Sequence, residues 1–427
     1  MPVNRLFGPV VPLACLLSLA LPAGDAGQTE GPGSDWPQFG GPSRDFHAPP
    51  GVRLADRWPD AGPRRVWERP LGEGYSGIAA GGGRLFTMFR RGGREVVVAL
   101  DASTGATLWE RESDASPLEK QDLSQGPGPH ATPLVTGDVV CAAGVTARLQ
   151  CLDRATGGPR WRRELARDLG GTPVYRGYSS SPLAWQDAVI VPVGGDGRGL
   201  MAFHRDDGRE LWRAGRFHNT NASPILIEAA GRTQVIAFTQ DGLAAFDPST
   251  GKALWSHAHP QRFHDNISLP LARGARVFCT SSLDGGARLI EIQRDGGKLG
   301  TRELWHQPRF GVYFTNVLWI NGVLYGSSGG VGPTFLSALD ARTGEVLWQS
   351  RDVPRASLLY ADGRTVILTE TGELLLARLS PAGVEVVSRT EALSEGPPAP
   401  LALAGTRLYA RDRARIVALE LGEAGGR

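Results

Sequence analysis

Three stretches decide the fold of this 427-residue chain. They are Ala99-Leu-Asp-Ala-Ser-Thr-Gly-Ala-Thr-Leu-Trp109, Ala245-Phe-Asp-Pro-Ser-Thr-Gly-Lys-Ala-Leu-Trp255 and Ala338-Leu-Asp-Ala-Arg-Thr-Gly-Glu-Val-Leu-Trp348. Their common pattern is A-x-D-x-x-T-G-x-x-x-W, which reads as strand, turn, strand. The Asp side chain can bond nearby backbone N–H groups in the turn. The Gly supplies the positive φ that a tight reversal requires. The Trp ends the second strand as a large apolar wedge between packed sheets. Weaker copies close on Trp161, with Asp153, Thr156 and Gly157, and on Trp212, with Asp207 and Gly208. A stretched copy closes on Trp305, and another, Leu379-Ser-Pro-Ala-Gly383, runs to Val387 without a Trp.

Upstream of each copy lies a second strand pair, as in Thr132-Pro-Leu-Val-Thr-Gly-Asp-Val-Val-Cys141 and Asn316-Val-Leu-Trp-Ile-Asn-Gly-Val-Leu-Tyr325. Each unit therefore holds four short strands, and units recur every ~40–50 residues, the signature of propeller blades. The ends are complementary. Val66-Trp67 is a lone final strand, and Leu401 to Leu421 supplies three strands with no Trp strand after them. Joined, they complete an eighth blade. The sequence thus predicts an all-β, eight-bladed β-propeller of four-stranded blades, closed by its N- and C-terminal strands. Residues 1–26 read as a signal peptide, 27–62 as an extended N-terminal segment, 63–422 as the propeller and 423–427 as a tail.

Composition agrees. With 57 Gly and 31 Pro, yet 41% hydrophobic residues and 11 Trp, the chain is too apolar for disorder and too rich in breakers for a helical fold. A net charge of +2 provides no field for nucleic acid. The N-terminus has Arg5, an apolar run from Leu6 to Leu21 and small residues after it, the pattern of a secretory signal with cleavage after Ala23 or Ala26. The run is too short and broken for a transmembrane span. Pro12-Leu13-Ala14 before Cys15 makes a poor lipobox, which argues against a lipid anchor. Cys141 and Cys151 fall on neighbouring predicted strands. A disulfide is one reading, and buried small thiols are the favoured one. There is no zinc-ligand spacing, Ser-His-Asp order, phosphate loop or metalloprotease helix.

At this point the repeats resemble those of the pyrroloquinoline quinone (PQQ) propeller superfamily, whose Gly-x-x-x-Trp ends form a tryptophan-docking motif. More narrowly, Asp35-Trp-Pro-Gln-Phe-Gly-Gly-Pro-Ser-Arg-Asp45, Gly72-Glu-Gly-Tyr-Ser76 and Gly177-Tyr-Ser-Ser-Ser-Pro182 resemble the secreted PQQ-like-repeat proteins of planctomycetes and related bacteria. That group is similar in fold to the assembly factor BamB. The resemblance assigns Asp101, Gly105, Trp109, Asp153, Gly157, Trp161, Gly208, Trp212, Asp247, Gly251, Trp255, Trp305, Asp340, Gly344, Trp348 and Trp67 to blade docking. Quinoprotein alcohol dehydrogenases in the same superfamily hold PQQ over a Trp, with Ca²⁺, a vicinal Cys pair and an Asp base. This chain has no adjacent Cys pair, and the base and calcium ligands cannot be placed on it.

The loops leading into the innermost strands are the candidate face, because propellers bind near the channel mouth. They carry Tyr75 and Ser76; His130; Arg176 and Tyr178; His218, Asn219 and Asn221; His264, Asp265 and Asn266; Tyr313 and Asn316; and Arg355. Such a ring suits a polar ligand, glycan, peptide or metal ion, although channel mouths are polar in any propeller. His257-Ala-His259 puts two imidazoles on one side of a strand without a third ligand. The expectation is a periplasmic or secreted monomer that binds or scaffolds a protein or envelope component, with no catalytic residue, metal or cofactor. The alternative is a PQQ- and calcium-dependent dehydrogenase acting on an alcohol or sugar.

Overall fold

The computed structural model describes residues 1, 35–115, 122–123, 126–172, 174–263, 265–330, 332–394, 396–397 and 399–423. The expected signal peptide with Cys15, His264 and the last four residues of the tail lie outside them. Eight four-stranded antiparallel sheets form among the described residues. In chain order the first seven blades span 79–114, 134–164, 183–214, 225–258, 271–307, 312–350 and 356–391. In each the first strand is innermost and the fourth outermost. The eighth has Ala402–Ala404, Arg407–Arg411 and Arg415–Glu420 inside, and Arg64–Pro70 outside. Arg64 pairs with Glu420 and Pro70 with Arg415, so the first strand of the chain closes the ring against the last. Closure leaves only short blade edges open.

The middle strands of each blade are buried on both faces, as Val96 to Leu100 and Leu374 to Ala377 show. Apolar side chains from neighbouring sheets fill the space between blades. The seams are set by the repeat. Asp101 Oδ1 accepts bonds from the Ser103 and Thr104 N–H groups, and Asp153, Asp247 and Asp340 each hold their own turn in the same manner. Each Trp then reaches into the following blade. The indole N–H of Trp67 donates to the Ala102 carbonyl, and Trp109, Trp161, Trp212, Trp305 and Trp348 donate to Arg154, Arg205, Pro248, Ala341 and Ser380. At five of these seams, all but that of Trp348, the ring lies against the next turn's Gly. A Cβ at Gly251, where φ is +71°, would stand 2.7 Å from the Trp212 ring.

The first letter of the repeat has its reason in register. Ala99, Ala202, Ala245 and Ala338 each stand directly opposite their blade's Trp, and the ladder shifts by one residue just after that pair. A small residue leaves room for the indole, and the bulge turns it toward the next blade. Blade 2 has Cys151 at this place, opposite both Trp161 and Cys141. Cys141 and Cys151 are joined as a disulfide, their Cα atoms 4.0 Å apart. Two free thiols were favoured from sequence; direct opposition across a ladder brings the side chains together and overturns that reading. Cys279 stays a buried thiol, and burial pushes its pKa up to about 12.

Two seams depart from the rule. Trp255 bonds Gln234 of its own blade, and the stretched hairpin of the fifth blade turns at Asp295-Gly296-Gly297-Lys298 without the D-x-x-T-G pattern. In blade 7, Ser388 rather than Val387 occupies the wedge register, and Val387 falls in the bulge. The Ser388 hydroxyl accepts from the Trp58 N–H, so a buried Trp of the N-terminal segment packs where the blade lacks its own.

That segment is a strap. Trp36 exchanges backbone bonds with Ala80 of blade 1, and Pro37 accepts from Val135 of blade 2. The Arg44 guanidinium donates to the Ser181 and Pro182 carbonyls of blade 3 at 3.1 and 2.8 Å. Asp45 pairs with Arg273 of blade 5, Phe46 bonds Tyr360 of blade 7, and Ala55 bonds Leu421 beside blade 8. The strap crosses the ends where innermost strands turn back, and so closes the channel from that side.

Candidate functional site

The loops that lead into the innermost strands stand at the opposite end. Their last residues knit the ring together. The Ser76 hydroxyl donates to the Ala131 carbonyl of blade 2 at 2.7 Å, and Ser181 Oγ accepts from Thr132 N–H at 2.9 Å. Ser223 Oγ accepts from Ser181 N–H, again at 2.9 Å. The serines of Ser181-Pro182 and Ser223-Pro224 are therefore blade-to-blade bridges, which satisfy backbone groups that the short innermost strands leave unpaired.

Between strap and mouth lies an axial chamber of about 180 Å³. Phe39 and Phe46 of the strap form its floor, and Ile267, Leu269, Phe314 and Ala399 supply apolar wall. Of the residues singled out from sequence, Tyr75, His130, Arg176, Asn221 and Asn316 line it. Tyr75 and His130 stack with rings 5° from parallel. Burial lowers the His130 pKa to about 4, against an opposing bond to the Arg176 backbone, so the ring is neutral at pH 7.

A polar bridge spans the mouth. Arg176, from the loop before blade 3, donates to the Tyr313 hydroxyl of blade 6 at 2.8 Å and to Asp122 at 3.2 Å. Tyr313 donates to Asp265 at 2.6 Å, and Asn221 donates to the same carboxylate at 3.3 Å. Burial raises the Tyr313 pKa to about 12, helped by Asp265 and opposed by Arg176, so it stays a protonated donor. Burial alone would lower the Arg176 pKa, but Tyr313, Asp265 and Asp122 outweigh it and raise it. The guanidinium also lies 5.2 Å from the Phe314 ring centre, within cation–π range.

The innermost strand of blade 6 explains how Tyr313 and Phe314 get there. Its register breaks between Val312 and Val317, and Phe314 sits at φ +64°. A bulky residue in that region is strained. Sequence reasoning singled out Tyr313 but missed Phe314, Asp122 and the two strap phenylalanines. A lone Phe beside a Tyr carries no signal of positive φ, and Asp122 lies in the irregular loop between blades 1 and 2.

The remaining sequence candidates do not meet at the chamber. Tyr178 is buried between blades, its hydroxyl on the Pro192 carbonyl. Asn266 is fully buried and bonds the Thr239 carbonyl; Asn219 is buried with its N–H on Thr172. Arg355 ties the Gly330 and Gly332 carbonyls to Glu370. His218 is exposed, next to Phe217, which accepts from Gly195 in blade 3. Thus the expected convergence of three His residues is not seen among the described residues: only His130 lines the chamber.

His257 and His259 face different surroundings. His257 bonds Thr301, while His259 is buried, with Nε2 2.7 Å from Ser281 Oγ and Nδ1 2.9 Å from the Arg288 guanidinium. Because Arg288 can only donate, Nδ1 accepts and Nε2 carries the proton. His259 therefore cannot take a proton from Ser281, and the pair is structural.

PQQ with calcium would make specific demands on the chamber. A hard cation needs oxygen ligands, commonly carboxylates. Among the described residues no Asp, Glu or Trp lines the chamber, and the Asn316 amide is engaged on both sides by Leu358. Its volume also lies below the ~300–1,000 Å³ usual for small-molecule sites. The lining does not fit the cofactor. Among the described residues, no three His, Cys, Asp or Glu cluster as a metal site would require.

The family described as "Outer membrane protein assembly factor BamB" matches residues 59–141 and 93–350. A protein of that name from Burkholderia pseudomallei is 25% identical, over 56% of this chain and 70% of its own length. Its namesake in Yersinia pestis is 22% identical over 57% of this chain, which spans 59% of that relative. Among solved structures, BamB from Moraxella catarrhalis superposes with a TM-score of 0.60 at 19% identity, covering 84% of this chain and 99% of that one. Quinohemoprotein alcohol dehydrogenase from Comamonas testosteroni gives 0.59 at 13% identity, covering 92% and 82%. At these identities the structural likenesses show the propeller fold alone.

Proposed function

The chain belongs to the family described as outer membrane protein assembly factor BamB, and from that membership we propose that it is a non-catalytic, extracytoplasmic propeller that binds or scaffolds. Its partner is a protein of the outer-membrane assembly machinery, held at the channel mouth. The observation that carries this reading is the mouth bridge, in which loops of blades 3 to 6 present Arg176, Asn221, Asp265 and Tyr313 together on one face. Exposed Leu123, Tyr175, Phe263 and Leu283 belong to loops of that face and add the apolar contacts that protein interfaces use. Residues 1–26 act as the export signal in this reading. A chain lipidated at Cys15 is the competing outcome, and mass spectrometry of the mature N-terminus distinguishes the two.

The test is co-purification of the tagged chain with its own cell envelope, comparing wild type with Tyr175→Ser and Phe263→Ser. Retention of outer-membrane assembly proteins by wild type, and its loss in both variants, is expected. Equal retention overturns the mouth assignment. The dehydrogenase alternative is tested by melting the protein with PQQ and Ca²⁺. A ligand at 100 times its Kd adds about 2.7 kcal/mol, a shift of a few degrees for a chain of this size. No shift is expected.

A further inference from the structure

We infer that the axial chamber is a receptor for a single neutral aromatic group, supplied as a side chain by the protein bound at the mouth. The inference rests on the mouth reading and adds what enters beneath it. Four features point to this guest. The floor and wall are Phe39, Phe46, Leu269 and Phe314, with the stacked Tyr75 and His130 above, so rings can be met by rings. The volume of about 180 Å³ admits one side chain and not a drug-sized ligand. Charge matches a neutral guest: His130 is neutral, and Arg176, the one ionised group among the described lining residues, is already paired with Asp122 and Asp265. A further charge buried there would lose its hydration without a partner.

The fourth feature is the strain at Phe314. A φ of +64° strains a bulky residue, and the other seven innermost strands hold no such residue among those described. The strained backbone turns the Phe314 ring into the chamber beneath Arg176. The Arg176–Tyr313 bond crosses above, so the guest enters as that bridge swings aside.

The probe is N-acetyl-tyrosinamide, with N-acetyl-leucinamide as control, titrated by NMR into the full chain. The expected result is saturable binding of the aromatic amide, at least tenfold tighter than the aliphatic one. Phe314→Gly relieves the backbone and removes the ring. It should weaken tyrosinamide binding at least tenfold without lowering Tm, which a merely structural Phe314 would not do. No binding, equal binding of leucinamide, or unchanged binding in Phe314→Gly overturns the inference. If an envelope partner binds wild type and Phe314→Gly equally, the mouth reading stands and the chamber falls. If tyrosinamide binds as expected but no partner is retained, the chamber stands and the mouth reading falls.

Discussion

The seams between blades and the mouth of the channel are built by the same repeat, but they use it in opposite ways. At six seams one indole N–H donates to one carbonyl of the next blade, at 2.6 to 3.1 Å. At the mouth the loops contribute mostly different groups: Tyr75, His130, Arg176, Asn221, Asp265 and Tyr313 each arrive from a different loop, and only tyrosine recurs. A seam is a local contact between neighbours, so its solution can be copied around the ring. The mouth joins blades that are not neighbours, as Arg176 and Tyr313 are, so each loop must be individual. Substitutions at the seams should therefore act on stability, and those at the mouth on binding.

The largest effect should come from Trp212→Ala. This buried wedge loses its packing and its bond to Pro248, at a cost of about 4 kcal/mol, read as a lower denaturant midpoint. Gly251→Ala should cost about 3 kcal/mol, combining left-handed strain with a methyl forced against Trp212. Gly274→Ala has similar φ, +59°, but open space around it, and should cost only about 1 kcal/mol. Equal losses at the two glycines would show that seam packing is not what the Gly serves.

A smaller effect should appear with pH. Burial, then Arg288 and the neighbouring imidazoles, lowers the His259 pKa to about 3, whereas the unfolded ring titrates near 6.5. Between those values the unfolded chain binds the proton and the folded chain does not. Stability is thus fully present above about pH 6.5 and is lost as pH falls toward 3. His259→Gln should flatten this part of the wild-type profile, measured as denaturant midpoints at pH 7 and 4.5. Identical slopes would mean that His259 does not titrate on unfolding. The smallest stability effect belongs to the mouth. Arg176→Gln should change unfolding free energy by at most about 1 kcal/mol, while partner retention falls. A large loss of stability there would erase the division between seam and mouth.

Much of the fold was legible because its units repeat. The turn Asp, the left-handed Gly and the Trp recur at fixed offsets, and the missing Trp strand at one end matched the spare strand at the other. Two departures were not legible. Val387 was counted as the seventh wedge, but the register places Ser388 there, because the bulge that shifts the ladder leaves no mark in composition. Trp58 and the strap were read only as an extended segment. Their roles depend on contacts hundreds of residues away, with Ser388 and Asp362. The mouth was half legible: the loops were located, but buried Tyr178 and Asn266 look no different in sequence from Tyr75 and Asn221, which line the chamber.

By itself the sequence determined the class, the number of blades and the closure of the ring. Each of these follows from local periodicity, from the chemistry of one turn and from one large side chain. Tertiary structure alone decided that the channel is blind, that Cys141 meets Cys151, and that Arg176 meets Tyr313 across the mouth. These are meetings of residues far apart in sequence or opposed across a ladder. They are set by ring curvature and strand register, and no short stretch of chain encodes either of those quantities.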